Sequence, residues 1–332
     1  MTATHQVIER RGWEVVRLQS EDLTVDVLPG KGGDIISVRH LGTDVELMWQ
    51  SPWGLRHRGA PYIPGNSEAT LMDAYPGGWQ TVFPNVGDEV EENGVTWGMH
   101  GEAWLAPYDW EPTGPSEITL STRLVRSPFE IDKTIGLDSG RLTVTETARN
   151  TGGVTVEAAW GHHPAFGPPF LDGSCRLDTA GATVVVDDER DLPASDLVPG
   201  ATSPWPHIGD RSGGEVDLRE VPASDPGRPV DRLYYLTDLA EGAVSLTNQR
   251  LGLRARLDWD TSVMPYTWLW YEMHATAEFP WYQAVYVLGI EPHSSYPGQG
   301  LHAIRRKTGT QLSFAPGESR TATTTLDVTP VG

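Results

Sequence analysis

Alternation of apolar and polar residues constrains this chain more than any other feature. Five stretches show it, at 23–30, 117–125, 129–137, 141–150 and 251–259. Successive side chains of a β-strand point to opposite faces, so the pattern is typical of strands buried on one face. Clusters rich in glycine, aspartate and asparagine, such as "LDSG" and "RNTGG", separate the stretches. The pattern predicts an all-β fold, a large antiparallel β-sandwich with few short helices.

The segment 186–229 differs from the rest, because it is rich in proline, glycine, serine and aspartate. Such composition is typical of a loop or a domain boundary. Strands of similar character are predicted on both sides of it, so we interpret it as a long excursion over one rim of the sandwich. We therefore predict a single domain over residues 1–332.

The charge balance limits the partners of this protein. Acidic residues outnumber basic ones 45 to 25, for a net charge of -20. Such a surface repels phosphate backbones and anionic headgroups, so we expect no nucleic-acid or membrane partner. A strongly anionic substrate is also disfavoured, unless a local basic pocket reverses the field.

Cysteine and tryptophan usage add two further expectations. The single cysteine, Cys175, excludes an internal disulfide framework and a thiolate metal cluster, and we expect a structural role for it. Thirteen tryptophans are present, most of them expected in the core and two or three in a pocket. The start of the chain has no apolar signal-peptide core, and no run of eighteen apolar residues occurs, so we expect a cytoplasmic protein.

Two adjacent histidines, His162 and His163, end an apolar strand-like run in "AAWGHHPAF". Neighbouring side chains in a strand point to opposite faces, so the two imidazoles form a poor metal pair. Pro164 cannot donate to a ladder, and we expect the strand to end there. Metal ligation, proton transfer and a structural imidazole remain open readings at this point. A structural role fits one histidine and a functional role fits the other.

A carboxylate and a third histidine form two further candidates. Glu291 ends the apolar run "AVYVLGI", which is suited to a strand buried on both faces. Burial there raises a carboxylate pKa towards neutrality, as a general base or acid requires. The alternative is a rim carboxylate paired with Arg305 or Arg306. His100 lies beside a glycine in "TWGMHGEAW", which allows a ligand to approach closely.

Two polar segments complete the set of candidates. Asp231 precedes the aromatic strand "RLYYL", where a carboxylate can bind sugar hydroxyls. Alternatively, it caps a turn or forms an ion pair with Arg232. The turn "PGGWQ" suits a binding loop, with Trp79 as a stacking platform and Gln80 as a hydrogen-bonding arm. P-loop, dinucleotide, HExxH and GxSxG signatures are all missing from the sequence.

Taken in order, six segments resemble the aldose 1-epimerases, the galactose mutarotase-like proteins, from end to end. They are the first strands from "GWEVVRLQSEDLTVDVLPGKGG", then "VFPNVGDEVEENGVTWGMHGEAW", the strand pair leading to "GHHPAF", "PVDRLYYL", "GIEPHSSYP" and the closing "FAPGESRTATTTLDV". No single motif is specific, but their order is. The resemblance implies a β-supersandwich without cofactor or metal.

Position by position, the resemblance implies roles for four residues. Glu291 corresponds to the catalytic base and His163 to the catalytic acid, while His100 and Asp231 correspond to substrate-binding residues. His162 is then the histidine turned away. Many members carry a sugar-binding arginine after the FPN segment. Here acidic residues 88–89 stand in its place, which makes phosphorylated sugars poorer substrates, and Gln80 is our candidate to replace part of that contact.

The expected function is therefore interconversion of the α and β anomers of a free monosaccharide, by a monomer or homodimer. Glu291 would take the proton of the C1 hydroxyl while protonated His163 donates to the ring oxygen, and a neighbouring acid would raise the pKa of His163. We expect a bell-shaped pH profile. Two alternatives remain open: a non-catalytic sugar-binding or sensing protein on the same scaffold, and a glycosidase using Asp231 with Glu291.

Overall fold

Antiparallel strand pairing accounts for most of the fold. The computed structural model describes residues 4–331 and contains twenty-six strands and two helices. The strands are β1 (Thr4–Arg10), β2 (Trp13–Gln19), β3 (Leu23–Leu28), β4 (Asp34–His40), β5 (Val45–Glu46), β6 (Trp79–Val82), β7 (Val90–Glu92), β8 (Val95–Trp97), β9 (Asp109–Gly114), β10 (Glu117–Arg123), β11 (Phe129–Asp138), β12 (Arg141–Asn150), β13 (Val156–Ala158), β14 (Gly161–Phe166), β15 (Cys175–Asp178), β16 (Thr183–Val186), β17 (Thr202–Pro204), β18 (His207–Gly209), β19 (Glu215–Asp217), β20 (Val230–Thr237), β21 (Ala243–Asn248), β22 (Leu253–Trp259), β23 (Tyr266–Met273), β24 (Tyr286–His293), β25 (Leu312–Phe314) and β26 (Ser319–Pro330). The helices are α1 (Ser67–Asp73) and α2 (Gly300–Lys307). Neither helix in this described part of the chain is long and apolar enough to cross a membrane.

Two large sheets form the sandwich. The first has twelve strands in the order β1-β2-β3-β4-β6-β14-β24-β23-β20-β16-β17, with β5 paired to β4. The second has eight strands in the order β15-β21-β22-β26-β12-β11-β10-β9. Three small two-stranded sheets complete the fold. The all-β antiparallel sandwich predicted from alternation is confirmed.

The core lies between the two sheets and is packed with aromatic rings. Phe83 lies edge-to-face on Phe129, with ring centroids 4.7 Å apart, and Phe129 lies edge-to-face on Phe314 at 5.2 Å. Trp160 contacts Phe83 from the other side at 5.9 Å. Edge-to-face packing is the arrangement that aromatic rings prefer, so this cluster adds directional contacts to the burial of apolar area.

Each alternating stretch of the sequence forms a strand. The five correspond to β3, β10, β11, β12 and β22, with ends that differ by a few residues. The apolar run before Glu291 forms β24, and all eight of its residues are buried, as expected for a strand covered on both faces. Glu291 lies within this strand rather than at its end.

The expected end of a strand at Pro164 is wrong. Strand β14 runs through this proline to Phe166, because Pro164 pairs with Trp79 of β6. On the other side, Gly161 and Ala165 pair with His293 and Gly289 of β24, and residues 162–164 lie between these two pairs. A proline is tolerated in a sheet where it has no ladder bond to donate.

The loop-like segment 186–229 runs along one edge of the twelve-stranded sheet. It contains three short strands, of which β17 extends the sheet beside β16 while β18 and β19 form a separate hairpin. Before β17, residues 189–192 form part of the wall of a cavity described below. The segment therefore both extends an edge and covers a site.

A buried polar network joins the two sheets. Lys133 and Glu146, on β11 and β12, lie 3.0 Å apart as an ion pair that is almost wholly inaccessible to solvent. From the opposite sheet, Thr81 donates to Glu146, and the His162 Nε2 lies 3.3 Å from its Oε2. The indole of Trp160 donates to the same carboxylate over 3.2 Å. Burial works against ionisation of Glu146, but these neighbours outweigh it and hold its pKa below the usual value.

Removing this carboxylate should destabilise the fold. We expect Glu146→Gln to lower the free energy of unfolding by about 3–5 kcal/mol, because it leaves the Lys133 ammonium buried without a counter-charge. Chemical denaturation followed by fluorescence measures this. The matched control is Glu130→Gln, which removes a partly exposed ion pair to Arg123 and should cost less than about 1 kcal/mol. Equal losses in both variants would contradict the role assigned to Glu146.

Candidate active site

A cavity of about 490 Å³ opens on the outer face of the twelve-stranded sheet. Strands β14, β20, β23 and β24 supply its floor, and α1 supplies its walls together with several loops, which contribute residues 75, 87–88, 99–100, 104, 189–192, 276, 279–281 and 298–299. Four tryptophans line it rather than the two or three expected: Trp104, Trp268, Trp270 and Trp281. A concave site lined by aromatic rings with a few polar groups is typical of a small-molecule site.

The register of the strands brings the polar floor residues together. The pairs Gly161–His293 and Ala165–Gly289 place His163 opposite Glu291 across β14 and β24. Glu291 in turn pairs with Trp268 of β23. Cross-strand partners share a face of the sheet, so these three side chains point to the cavity side by side.

Glu291 lies between two imidazoles. Its Oε1 is 3.5 Å from the Nε2 of His163, and its Oε2 is 3.2 Å from the Nε2 of His293. The His293 ring is stacked on Trp268 with centroids 3.8 Å apart. His163 and Glu291 are 5 % and 2 % exposed, and both line the cavity, so the carboxylate and one imidazole can meet a bound molecule together.

Burial sets the protonation of these groups. It raises the pKa of Glu291 well above the usual value. Burial lowers the pKa of His163 to about 4, helped by the charge of Lys31. It also lowers the pKa of His293, with contributions from the neighbouring histidines. The expectation that the pKa of His163 is raised is wrong, because burial lowers it and the Lys31 charge adds to that effect.

Two glycines on the strands make room for this cluster. A Cβ on Gly161 would lie 2.0 Å from the His293 ring, and one on Gly289 would lie 2.5 Å from the Glu291 carboxylate. Real Cβ atoms do not approach so closely, so neither position accepts a side chain without displacing a site residue.

His162 faces the opposite side of the sheet, as strand alternation predicts. The Trp79 indole donates to its Nδ1 over 2.8 Å, so the ring hydrogen is on Nε2, which faces Glu146. His162 is therefore a structural imidazole within the polar network, while His163 faces the cavity.

His100 forms one wall of the cavity beside His163. Its φ is +57°, a left-handed conformation in which histidine is enriched, and its ring is stacked on Trp104 at 5.0 Å. The backbone N–H of Gly87 donates to its Nδ1 over 3.3 Å, so Nε2 carries the hydrogen. Burial, then the charges of His163 and Arg190, lower its pKa well below the usual value. His100 is thus a neutral donor.

Asp231 lines the cavity opposite Glu272, its cross-strand neighbour on β23. Its carboxylate is 9 % exposed and has no hydrogen bond to any residue within 4–331. Burial, followed by the charge of Glu272, raises its pKa from 3.8 to about 7. Glu272 accepts from the backbone of Ala275 and from Thr276, so it is held in place by the loop that follows β23.

An arginine enters the cavity from a segment that gave no signal in the sequence. Arg190 lines the wall, where its Nη2 lies 2.5 Å from Asp88 and 3.4 Å from the carbonyl of Gly298. Asp88 is one of the two acidic residues in place of the arginine that many members of the resembled family carry. In this structure Asp88 is paired with an arginine from elsewhere in the chain.

One buried carboxylate holds this wall in place. Asp187 accepts from the backbone N–H groups of Glu189 and Arg190 at 3.1 and 2.8 Å. It also accepts from the Tyr235 hydroxyl at 2.5 Å and from the Gln299 amide at 3.0 Å. The loop that carries Arg190 is thereby tied to β20 and to the loop before α2.

The expected binding loop at "PGGWQ" does not line the cavity. Trp79 is buried, and its indole is used by His162. Gln80 is fully buried and donates to the Gly77 carbonyl over 2.7 Å and to Asp34 over 3.3 Å. Strand β6 lies beside the floor strand β14, on the side away from β24, and neither side chain lines the cavity as the turn signal predicted.

Sequence reasoning missed several polar residues of the site, among them Arg190, Glu272 and His293. His293 could have been found, since the spacing Glu-x-His on a buried strand puts both side chains on one face. The other two had no local signal. No cluster of three or more histidine, cysteine or acidic side chains in the described part of the chain is arranged as a metal site.

The family model described as "Domain of unknown function (DUF4432)" matches residues 10–328. The chain belongs to this family. No curated protein matches this DUF4432 chain in sequence.

Solved structures similar to this DUF4432 protein share its fold. A candidate aldose 1-epimerase from Klebsiella pneumoniae has a TM-score of 0.73 at 16% identity, covering 98% of this chain and 82% of that one. A galactose mutarotase-like protein from Clostridium acetobutylicum has 0.69 at 13% identity, covering 99% of both chains. A galactose mutarotase related enzyme from Lactobacillus acidophilus has 0.64 at 17% identity, covering 99% of this chain and 98% of that one. The sandwich implied by the family resemblance is confirmed.

The raised pKa of Asp231 predicts how stability depends on pH. The folded state binds this proton more tightly than the unfolded state, so the stabilisation by the neutral form is complete below pH 3.8 and is lost as pH rises through about 7. Asp231→Asn keeps the neutral shape. We expect the Tm gain of this variant over the wild type to be larger at pH 8 than at pH 4.5, as measured by differential scanning fluorimetry. A gain that is the same at both pH values would contradict the shift.

Proposed function

We propose that this DUF4432 protein is an aldose 1-epimerase, which interconverts the anomers of a free monosaccharide by opening and closing its ring. Glu291 is the base, His163 the acid, and His100 and Asp231 hold the sugar. The observation that carries the proposal is the 3.5 Å separation of the Glu291 Oε1 and the His163 Nε2 at the floor of an aromatic cavity.

This separation suits a hemiacetal. Its hydroxyl oxygen and ring oxygen are bonded to the same carbon, so a base and an acid that lie side by side can each reach one of these oxygens. Two positioned proton transfers each contribute about 10²–10⁴-fold to a rate. The flat faces of Trp104 and Trp270 beside the pair suit the C–H faces of a sugar ring.

Protons and electrons balance within the pair. Glu291 takes the proton of the C1 hydroxyl, the electrons of that O–H bond form the carbonyl, and the C1–O5 bond breaks. O5 takes the proton of His163. Rotation about C1–C2 exposes the other carbonyl face, and the same transfers run backwards to close the ring. The pair ends with the single proton it began with.

The location of that proton depends on the ligand. Between about pH 4 and the raised pKa of Glu291, the pair holds one proton, and burial favours placing it on Glu291. Sugar hydroxyls that donate to the carboxylate favour its charged form, which moves the proton to His163. His293, against the other carboxylate oxygen, acts as a positioning residue.

The direct test is exchange spectroscopy of anomeric protons across a panel of free aldoses. We expect the wild type to accelerate exchange of at least one sugar, and Glu291→Gln and His163→Asn to lower kcat by at least about 10²-fold each, the lower bound for one proton transfer. The matched controls are Glu215→Gln and His302→Asn, whose side chains are 65% and 53% exposed and lie outside the cavity. Both controls should retain wild-type rates.

Binding without exchange would instead support a sugar-binding protein on this scaffold. In that case chemical-shift changes with a sugar persist in Glu291→Gln, while exchange stays at the spontaneous rate in every variant. Hydrolysis of a chromogenic glycoside would support a glycosidase. Either result would contradict the epimerase.

The pH profile provides a second test. Below about pH 4, His163 is protonated while Glu291 also holds a proton, so neither group can act as the base. We expect kcat/KM to fall below about pH 4, rather than near the usual histidine pKa of about 6.5. The rate measured with Glu291→Gln is subtracted from the wild-type rate at each pH, which removes the contribution of the spontaneous reaction. An acid limb between pH 6 and 7 would show that His163 is charged in the empty site and would contradict this proton assignment.

A further inference from the structure

The cavity is acidic beyond what the epimerase chemistry needs. Arg190 is the one lysine or arginine among the described residues that line it, and this guanidinium is already paired with Asp88. By contrast, Asp191, Asp231 and Glu272 line the cavity with no ion pair to any residue in 4–331. An anionic ligand would therefore meet several carboxylates and a single guanidinium that is already paired.

Asp231 is the most informative of these carboxylates. It is nine-tenths buried, faces the cavity and accepts no hydrogen bond from a described residue. Buried carboxylates are normally hydrogen-bonded, so the Asp231 oxygens, which have no protein donor, are available to a donor on a bound ligand.

Glu272 places a second carboxylate next to Asp231. It lies directly across the strand pair from Asp231, and its carboxylate is fixed by the N–H groups of residues 275–276. Two adjacent carboxylates repel each other, which contributes to the raised pKa of Asp231. A cation between them would remove this repulsion and satisfy the unpartnered oxygens.

The surroundings suit an organic cation. Trp270 is two residues from Glu272 on the same face of β23, and its ring lies 5.6 Å from that of Trp281. Phe279 adds a third ring to this part of the wall. Aromatic faces attract ammonium groups that are partly removed from water.

We propose that Asp231 and Glu272 form a subsite for a protonated amine, so that amino sugars are the preferred substrate class of this cavity. Neutral sugars are accepted, and uronic acids and sugar phosphates are rejected. The inference rests on the proposed epimerase function for its catalytic readout but not for its binding readout.

The test compares each amino sugar with its N-acetyl counterpart, which has the same ring without the charge. The panel includes amines on different ring carbons, the parent neutral sugars, uronic acids and sugar phosphates. We expect kcat/KM for the best amine to exceed that for its N-acetyl form by about tenfold or more, the effect of one good charge-assisted contact. Asp231→Asn and Glu272→Gln should each reduce this ratio to about two or less, a substantial loss of that contact. The ratio within one variant cancels any general damage to the enzyme.

Glu215→Gln, outside the cavity, is the charge-matched control and should leave the ratio unchanged. Acceleration of a uronic acid or a sugar phosphate to the rate of the neutral parent would overturn the inference and leave the epimerase intact. A ratio that stays the same in both cavity variants would also overturn it.

Failure of the epimerase function is distinguishable from failure of this inference. If no sugar is accelerated, calorimetric titration with the same amine and N-acetyl pairs still measures the charge preference. Tighter binding of the amine, lost in Asp231→Asn, would support the subsite without the catalysis. Equal affinity of the two forms would reject the subsite.

Discussion

A carboxylate with no access to water fixes how the two sheets of this protein meet. Glu146 belongs to the eight-stranded sheet, yet it accepts a hydrogen bond from Thr81 of the other sheet and lies within ion-pair distance of His162. A shift of β14 by one residue would turn His163 inwards and His162 to the cavity. Since an unsatisfied buried charge is expensive, the contacts of His162 in this network help to hold His163 on the cavity side of the sheet.

The same burial determines the chemistry on the outer face. Glu291 and His163 are both removed from water, so each loses stability in its charged form. The pair therefore resists both complete ionisation and double protonation over a wide pH range. This narrow choice of states would serve the proposed epimerase, which has to give and take one proton in each direction.

Much of this fold could be predicted from local periodicity alone, without knowledge of the tertiary contacts. The alternating stretches gave β3, β10, β11, β12 and β22, and strand alternation separated the faces of His162 and His163. Both results follow from the geometry of a single strand. The raised pKa of Glu291 was also predictable, since an apolar run buried on both faces desolvates what it carries.

The errors came from relations between distant segments. Trp79 and Gln80 follow a turn whose composition suits a binding loop. Only the tertiary structure shows that β6 lies beside the floor strand β14 and that neither side chain lines the cavity. Arg190 reaches the site because a long loop folds back over the edge, which no local pattern encodes. The pKa of His163 was placed too high because the extent of its burial depends on walls from several parts of the chain.

Asp187 has a consequence for the kinetics of ligand capture. Because it ties the loop of Arg190 to β20 and to Gln299 before any ligand arrives, that wall is ordered in advance. A ligand that enters does not have to immobilise this loop, so the loss of chain entropy that often weakens binding has already occurred when the protein folds. Association should then be governed by diffusion into an open mouth, and specificity by the rate of departure.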